Sequence, residues 1–210
     1  MSKYIRRLVF PLLWVAAFLY AGTRIKPADY VYLNCLYYLG IAVYFVSTGS
    51  FSIHEWLRSI KKGKKFWIPV FITAVAMLIA VILADWVFRG VDTGIAMLQV
   101  RNVPQLIAFC ISTILLPPLA EELFFRKAMI VTDRSKVVLC ATVIFSMILY
   151  AITHTLNIFG ILSVLIWSLP FTFAYLKTKD VYVSMTAHFI TNIIGNGIDA
   201  VMILIYMLSA

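Results

Sequence analysis

The chain has 210 residues, of which 63% are hydrophobic and 13% are charged, and its mean hydropathy is +0.96. Soluble domains of this length carry about twice that share of charged residues, so the composition excludes a soluble protein and predicts an integral membrane protein. The formal net charge of +9 does not indicate nucleic-acid binding, because the basic residues fall in the connections between apolar stretches.

Seven apolar stretches divide the chain, and most are close to the roughly 20 residues that an α-helix needs to cross a bilayer. They cover residues 8–22, 30–50, 67–88, 106–130, 137–153, 158–176 and 181–208. The last stretch is long enough, and interrupted enough at Gly195-Asn196-Gly197, to form a span and a short extra helix. We predict an all-α polytopic transmembrane bundle of six to eight helices, most simply seven, in one membrane domain over residues 1–210.

The lysine and arginine distribution predicts the orientation of the bundle. With the amino terminus inside, only Arg24, Lys26, Arg89 and Arg101 fall in outer connections, and the other 14 of the 18 basic residues are inside. Cytoplasmic loops carry such an excess of positive charge. We therefore expect a cytoplasmic amino terminus. The short chain without a eukaryotic targeting signal favours a bacterial plasma membrane.

An amphipathic pattern follows the second apolar stretch. Ile53, Trp56, Leu57 and Ile60 recur at helical spacing within a segment rich in lysine and arginine. This pattern is typical of a helix lying on the inner membrane surface. A connection that only sets the topology explains it equally well.

The fourth apolar stretch contains three charged side chains, Glu121, Glu122 and Arg126, just after Pro117-Pro118. A charge in the middle of a spanning helix costs roughly 2.5 to 3.5 kcal/mol, so a cluster there indicates a functional site. We expect the prolines to interrupt the helix, which restarts at Pro118. Glu122 should pair with Arg126 one turn later, whereas Glu121 is offset by about 100° and stays available. A buried ion cluster that only orients helices is the alternative.

Two further stretches carry histidines. His154 follows Tyr150 by one turn at the end of the fifth stretch, and Asn192 follows His188 by one turn in the last. The i, i+4 spacing places each pair on one helix face. Taken alone, His154 is explained by an interfacial position and the His188–Asn192 pair by helix-to-helix hydrogen bonding. Together with Glu121 they predict a polar site shared by three helices.

Other polar groups near the spans are not assigned to this site. Asp85 and Asp199 are expected near membrane boundaries, with Asp85 paired to Arg89. The three cysteines show no paired spacing and are interpreted as small apolar residues: Cys35, Cys110 and Cys140.

Three motifs in this order resemble the CAAX-protease and bacteriocin-processing (Abi) family of glutamate-dependent intramembrane proteases. They are Glu-Glu-x-x-x-Arg at 121–126, Tyr-x-x-x-His at 150–154 and His-x-x-x-Asn at 188–192, and the resemblance covers about residues 106–196. Two positions depart from the family pattern. Tyr150 stands where phenylalanine is usual, and Lys127 stands where many members have glycine.

The resemblance implies an intramembrane endopeptidase. Glu121 and His154 would activate a water for attack on a peptide carbonyl, and His188 and Asn192 would donate to the oxyanion. The supporting or substrate-binding residues would be Glu122, Arg126 and Tyr150.

The resemblance implies no metal or other cofactor, although the same glutamate and histidines could instead bind zinc. The expected partners are a peptide or membrane-protein substrate and the lipid bilayer, without nucleic acid. The substrate's identity and the oligomeric state are not predicted. Alternative functions are a non-catalytic scaffold or bacteriocin-immunity protein of the same fold and a proton-coupled transporter, which the lack of an inverted repeat disfavours.

The depths of these residues present a geometric difficulty. At 1.5 Å per residue, Glu121 lies about 15 Å from the inner edge near Val131, whereas His154 lies about 25 Å from Lys136. A tilt, a late start of the fifth span or a re-entrant segment is needed to bring the two side chains level.

Overall fold

The computed structural model describes residues 3–209, with side chains from Arg6 to Ser209. The side chain of Lys3, one of the basic residues predicted to be inside, lies outside the described residues.

Eight helices account for most of residues 3–209, and no strand occurs among these residues. They are α1 (Lys3–Gly22), α2 (Tyr30–Ser47), α3 (Ile53–Ile60), α4 (Lys64–Val87), α5 (Val103–Ala128), α6 (Lys136–His154), α7 (Ile158–Thr178) and α8 (Val181–Ser209). A short 3₁₀ turn, Pro27–Asp29, precedes α2. The predicted all-α bundle is confirmed.

Six of these helices are long and apolar enough to cross a membrane: α2 with its preceding turn, α4, α5, α6, α7 and α8. Helix α1, some of whose side chains lie outside the described residues, is not counted among the six. Large apolar side chains such as Leu13, Ile82 and Phe173 point outward, as lipid-facing residues do. The protein is an integral membrane protein. Its predicted limits as one domain over residues 1–210 stay a prediction.

Helix α5 differs from the expected interrupted span. It continues through Pro117 and Pro118, with π-helical turns at Ile111–Leu115 and Glu122–Ala128 on either side of the α-helical turn Leu116–Glu121. The restart predicted at Pro118 is therefore wrong. Wider π turns let the chain pass two residues that lack an N–H without breaking the helix.

Helix α8 is likewise continuous through Gly195-Asn196-Gly197, so the predicted extra helix is absent. A glycine in a helix costs only about 1 kcal/mol, which neighbouring contacts easily offset. The side chain of Asn196 supplies such a contact, because it donates a hydrogen bond to the backbone oxygen of Thr113 on α5.

Helix α3 forms where the amphipathic pattern predicts a helix. Its apolar face packs partly on protein: the indole of Trp56 stacks on Tyr182 and Phe189 of α8, and its Nε1 donates to Thr186 Oγ1 at 2.9 Å. Ile53 remains 57% exposed. Helix α3 thus docks on the end of α8 and leaves only part of its apolar face for lipid.

A hydrogen bond between α6 and the end of α5 resolves the difference in depth. The N–H of Val131 donates to Thr142 Oγ1 at 3.2 Å, so Thr142 lies level with Val131. From there, the twelve residues to His154 cover about 18 Å and the ten residues to Glu121 cover about 15 Å. The first turns of α6 extend beyond the level of Val131, and this offset brings His154 to the depth of Glu121.

Candidate functional site

An open cavity of about 680 Å³ lies between the helices. Helices α2, α4, α5, α6, α7 and α8 line it, together with residues Ile95–Leu98 of the connection between α4 and α5, which has no regular secondary structure there. Apolar side chains such as Met77, Val81 and Phe109 form much of the wall. The cavity combines an apolar wall with a small group of titratable side chains, as binding sites for organic ligands commonly do.

The carboxylate of Glu121 is the meeting point of this group, and the residue is 2% exposed. The hydroxyl of Tyr38 donates to its Oε1 at 2.7 Å. His154 Nε2 lies 3.8 Å from Oε1, and His188 Nε2 lies 3.7 Å from Oε2. Side chains from α2, α5, α6 and α8 therefore converge on one buried carboxylate.

The hydrogen bond at Nδ1 fixes the ring of His154. Nδ1 lies 2.9 Å from the backbone oxygen of Tyr150, which can only accept, so Nδ1 carries the hydrogen. In the neutral ring, Nε2 is then a hydrogen-bond acceptor. That acceptor faces Glu121.

His188 is held in a similar way by an acidic partner. Its Nδ1 lies 3.1 Å from Glu122 Oε1, and its ring stacks on Phe171 with a centroid distance of 4.5 Å. A carboxylate accepts only, so Nδ1 of His188 carries a hydrogen. Nε2 can then donate only when the ring is an imidazolium.

The predicted Glu122–Arg126 pair is confirmed. Arg126 Nη1 lies 3.5 Å from Glu122 Oε1, and both side chains are almost completely buried. The guanidinium also lies over the ring of Tyr150, 4.6 Å from its centroid. Neither Glu122 nor Arg126 lines the cavity, whereas Tyr150 does. The pair stands behind the cavity wall and holds His188 and Tyr150 in position.

Asn192 lines the cavity and is anchored to α5. Its Nδ2 donates to the backbone oxygen of Thr113 at 2.8 Å, and Asn196 Nδ2 donates to the same oxygen at 2.9 Å. In a regular α-helix this oxygen would accept from residue 117, but Pro117 has no N–H. The proline leaves a carbonyl with two free lone pairs, and two asparagine side chains of α8 occupy them.

Each catalytic candidate predicted from the sequence reaches the cavity. The four are Glu121, His154, His188 and Asn192. Asp199, predicted to lie outside the site, also lines the cavity, because α8 continues past Gly197 instead of ending there. Asp85 and Arg89 were expected to pair, but no ion pair joins them in the part of the chain that the structure describes. Both side chains are exposed.

Helix α2 contributes side chains to the site that the sequence motifs did not indicate. Tyr38 donates to Glu121, and Asn34, one turn earlier, lines the same cavity and lies 3.5 Å from the backbone oxygen of Ser112. The signal was available, because an asparagine and a tyrosine at i, i+4 spacing form a polar patch on an otherwise apolar span. Asn196 repeats the spacing of His188 and Asn192 by one more turn.

Within residues 3–209, no group of three or more His, Cys, Asp or Glu side chains is arranged to hold a metal ion. The cysteines Cys35, Cys110 and Cys140 are free thiols.

The model of the family described as type II CAAX prenyl endopeptidase Rce1-like matches residues 102–194. This segment begins just before α5, ends within α8 and contains all three motifs. No curated protein and no solved structure matches the chain. The protein is membrane-embedded, and over residues 102–194 it is similar to the type II CAAX prenyl endopeptidases that this family model describes.

Proposed function

We propose that the protein hydrolyses a peptide bond by a metal-independent mechanism in which Glu121 is the general base. The observation that carries this proposal is the convergence of Tyr38, His154 and His188 on the carboxylate of Glu121, at the wall of an open cavity. A carboxylate that its neighbours hold in place can take a proton from water without reorganising its surroundings.

Glu121 and His154 are placed to orient the attacking water. The 3.8 Å between Glu121 Oε1 and His154 Nε2 exceeds a hydrogen bond and suits two acceptors that share one water. The water donates one hydrogen to each, so its oxygen lone pairs turn toward the substrate carbonyl. Glu121 takes the proton as the oxygen attacks and returns it to the leaving amine when the C–N bond breaks.

His188 and Asn192 serve the developing oxyanion. His188 would donate from Nε2 in its doubly protonated form, because the hydrogen on Nδ1 is directed to Glu122. Asn192 has a second N–H on the Nδ2 atom that Thr113 already holds. Each such donor contributes about 2.7 to 4 kcal/mol in a preorganised site.

The size and the apolar walls of the cavity indicate the kind of substrate. A cavity of about 680 Å³ with largely apolar walls accepts an extended stretch of a few residues. We infer a peptide or membrane-associated protein as substrate. In a bacterial plasma membrane the amino terminus of the enzyme would be cytoplasmic.

Zinc-dependent hydrolysis of the peptide bond is the second candidate mechanism, and one observation favours it. Both histidines direct Nε2 toward Glu121 while an acceptor holds Nδ1, which is how metal-ligating histidines are commonly oriented. The arrangement of the described residues gives no three-ligand group, so this candidate ranks second. Chelator treatment of active protein, followed by metal analysis, separates the two. Retained activity at a metal content far below one per chain supports the Glu121 base.

The test of the proposed peptidase compares wild type with Glu121→Gln, reconstituted in lipid vesicles with a peptide that wild type cleaves. We expect cleavage to fall by about a thousandfold or more, as other enzymes do when they lose an essential base. Unchanged cleavage would refute the role of Glu121.

A further inference from the structure

The cavity occupies one half of the bundle. On α2 it is lined by residues of the first half of the helix, such as Tyr30 and Asn34, and on α4 by residues of the second half, such as Met77 and Val81. On α8 it extends from His188 as far as Ile203. All these residues lie toward the end of the bundle where residues 88–102 connect α4 to α5.

The opposite half of the bundle is closed. Phe45, Phe66, Phe124 and Phe125 are at most 1% exposed and belong to one continuous core. Phe45 packs on Phe124, and Phe124 on Phe125. Met185, one turn before His188 on α8, is completely buried in the same core. A peptide reaching Glu121 from this side would have to displace a close-packed aromatic layer.

Charge identifies which end faces the cytoplasm. The closed end carries Arg58, Lys61, Lys62, Lys64 and Lys65 around α3, together with the basic residues beside the α5–α6 and α7–α8 connections. The open end carries only Arg24, Lys26, Arg89 and Arg101. Positive residues in short connections remain on the cytoplasmic side. The closed end is therefore the inner one.

We propose that the active site opens to the outer face of the membrane, and that its substrate is an exported peptide or the outer segment of a membrane protein. This inference rests on the proposed peptidase function. Residues Ile95–Leu98 line the cavity on the outer side, where Met97 is 94% exposed. A cytoplasmic carboxy-terminal peptide would meet the closed aromatic layer instead.

The side of access can be measured without any cleavage assay. The three native cysteines are first replaced. Single cysteines are then introduced as Asp199→Cys in the cavity and as Lys61→Cys at the closed end. The side chains of Asp199 and Lys61 are both exposed in the native protein. Spheroplasts of a bacterial host are treated with a membrane-impermeant maleimide. We expect modification of Asp199→Cys in intact spheroplasts, and of Lys61→Cys only after permeabilisation. Met97→Cys provides a second outer-side position if Asp199→Cys folds poorly.

The opposite labelling pattern would overturn the inference, whether or not the protein is a peptidase.

A second experiment identifies the substrate. A photo-cross-linking amino acid at position 97 of the Glu121→Gln variant captures bound peptides in cells. We expect the captured sequences to come from exported or outer segments, and capture of cytoplasmic carboxy termini would contradict this. A wild-type protein without any peptidase activity would refute the proposed function, while the labelling result would still decide the side of access.

Discussion

The side chain of Asn192 is held by a carbonyl that a proline has set free. Its Nδ2 lies 2.8 Å from the backbone oxygen of Thr113, the group that would pair with residue 117 if that residue were not proline. Asn196 donates to the same oxygen at 2.9 Å. A proline on α5 thereby creates the attachment point for two amides on α8, one of which faces the cavity.

Pro117→Ala should remove the need for the two asparagines to pair with the backbone oxygen of Thr113. Alanine restores an N–H that satisfies Thr113, so the asparagines lose their shared acceptor. We expect Asn196→Ala to lower the unfolding temperature in the wild-type background, because it removes a hydrogen bond of about 1 kcal/mol, and to have little effect in the Pro117→Ala background. Thermal unfolding of the four proteins in detergent measures this coupling.

Gly197→Ala is the matched control on the same helix, since its nearest contact to an added Cβ is Ile193 at 4.0 Å. It should unfold at or above the wild-type temperature. Equal losses on Asn196→Ala in both backgrounds would show that the two amides do not depend on the carbonyl freed by Pro117.

Tyr38→Phe tests the hydrogen bond that α2 donates to Glu121. The phenol donates the shortest hydrogen bond to Glu121, at 2.7 Å, and a hydrogen bond to a charged group contributes about 1.5 to 3 kcal/mol. We expect kcat to fall by roughly tenfold to a hundredfold with a small change in KM, because the phenol positions the base and not the substrate. Tyr32→Phe on the same helix is the control, because this side chain is 42% exposed, and an equal loss in both variants would argue against a specific role.

Arg126→Met should destabilise the protein strongly. It leaves the carboxylate of Glu122 buried without the guanidinium that lies 3.5 Å away, and breaking a buried ion pair on one side costs about 3 to 5 kcal/mol. The double variant Glu122→Gln with Arg126→Met removes both charges and should recover much of that loss. Unfolding curves of the single and double variants measure the difference. A double variant that is no more stable than Arg126→Met would mean that charge pairing is not what Arg126 contributes.

Gly160→Ala should disturb the connection that borders the cavity. A Cβ at this position would lie 2.0 Å from the backbone oxygen of Thr93, which also accepts a hydrogen bond from Thr155 Oγ1 at 3.0 Å. The connection has to move, so we expect a lower unfolding temperature and faster proteolysis between residues 88 and 102. Limited proteolysis followed by mass spectrometry reads out this change, and a cleavage pattern identical to wild type would contradict the close approach.

The helices were predictable from the sequence, and so was the set of four polar side chains that line one cavity, for physical reasons. Spans are long apolar stretches because lipid requires every backbone polar group to be paired within the segment. A charged or polar side chain inside such a stretch stands out, which is why Glu121, His154, His188 and Asn192 could be recognised. The Glu122–Arg126 pair follows from helical spacing alone.

The remaining features depend on contacts between helices, which no local pattern encodes. The passage of α5 through Pro117 leaves the backbone oxygen of Thr113 without its helical partner, and α8 supplies the hydrogen bonds to that oxygen. The depth of His154 relative to Glu121 depends on the contact of Thr142 with Val131. The role of Tyr38 becomes visible only when α2 is packed against α5.

The central claim is that the carboxylate of Glu121 performs the hydrolysis. The most direct measurement compares, by mass spectrometry, the secreted and membrane-bound peptides of cells that produce wild-type protein with those of cells that produce Glu121→Gln at the same level. We predict that at least one cleavage product is present with wild type and replaced by its uncleaved precursor with Glu121→Gln. Identical peptides in the two samples, together with equal cleavage of a test peptide by the two purified proteins, would contradict the mechanism.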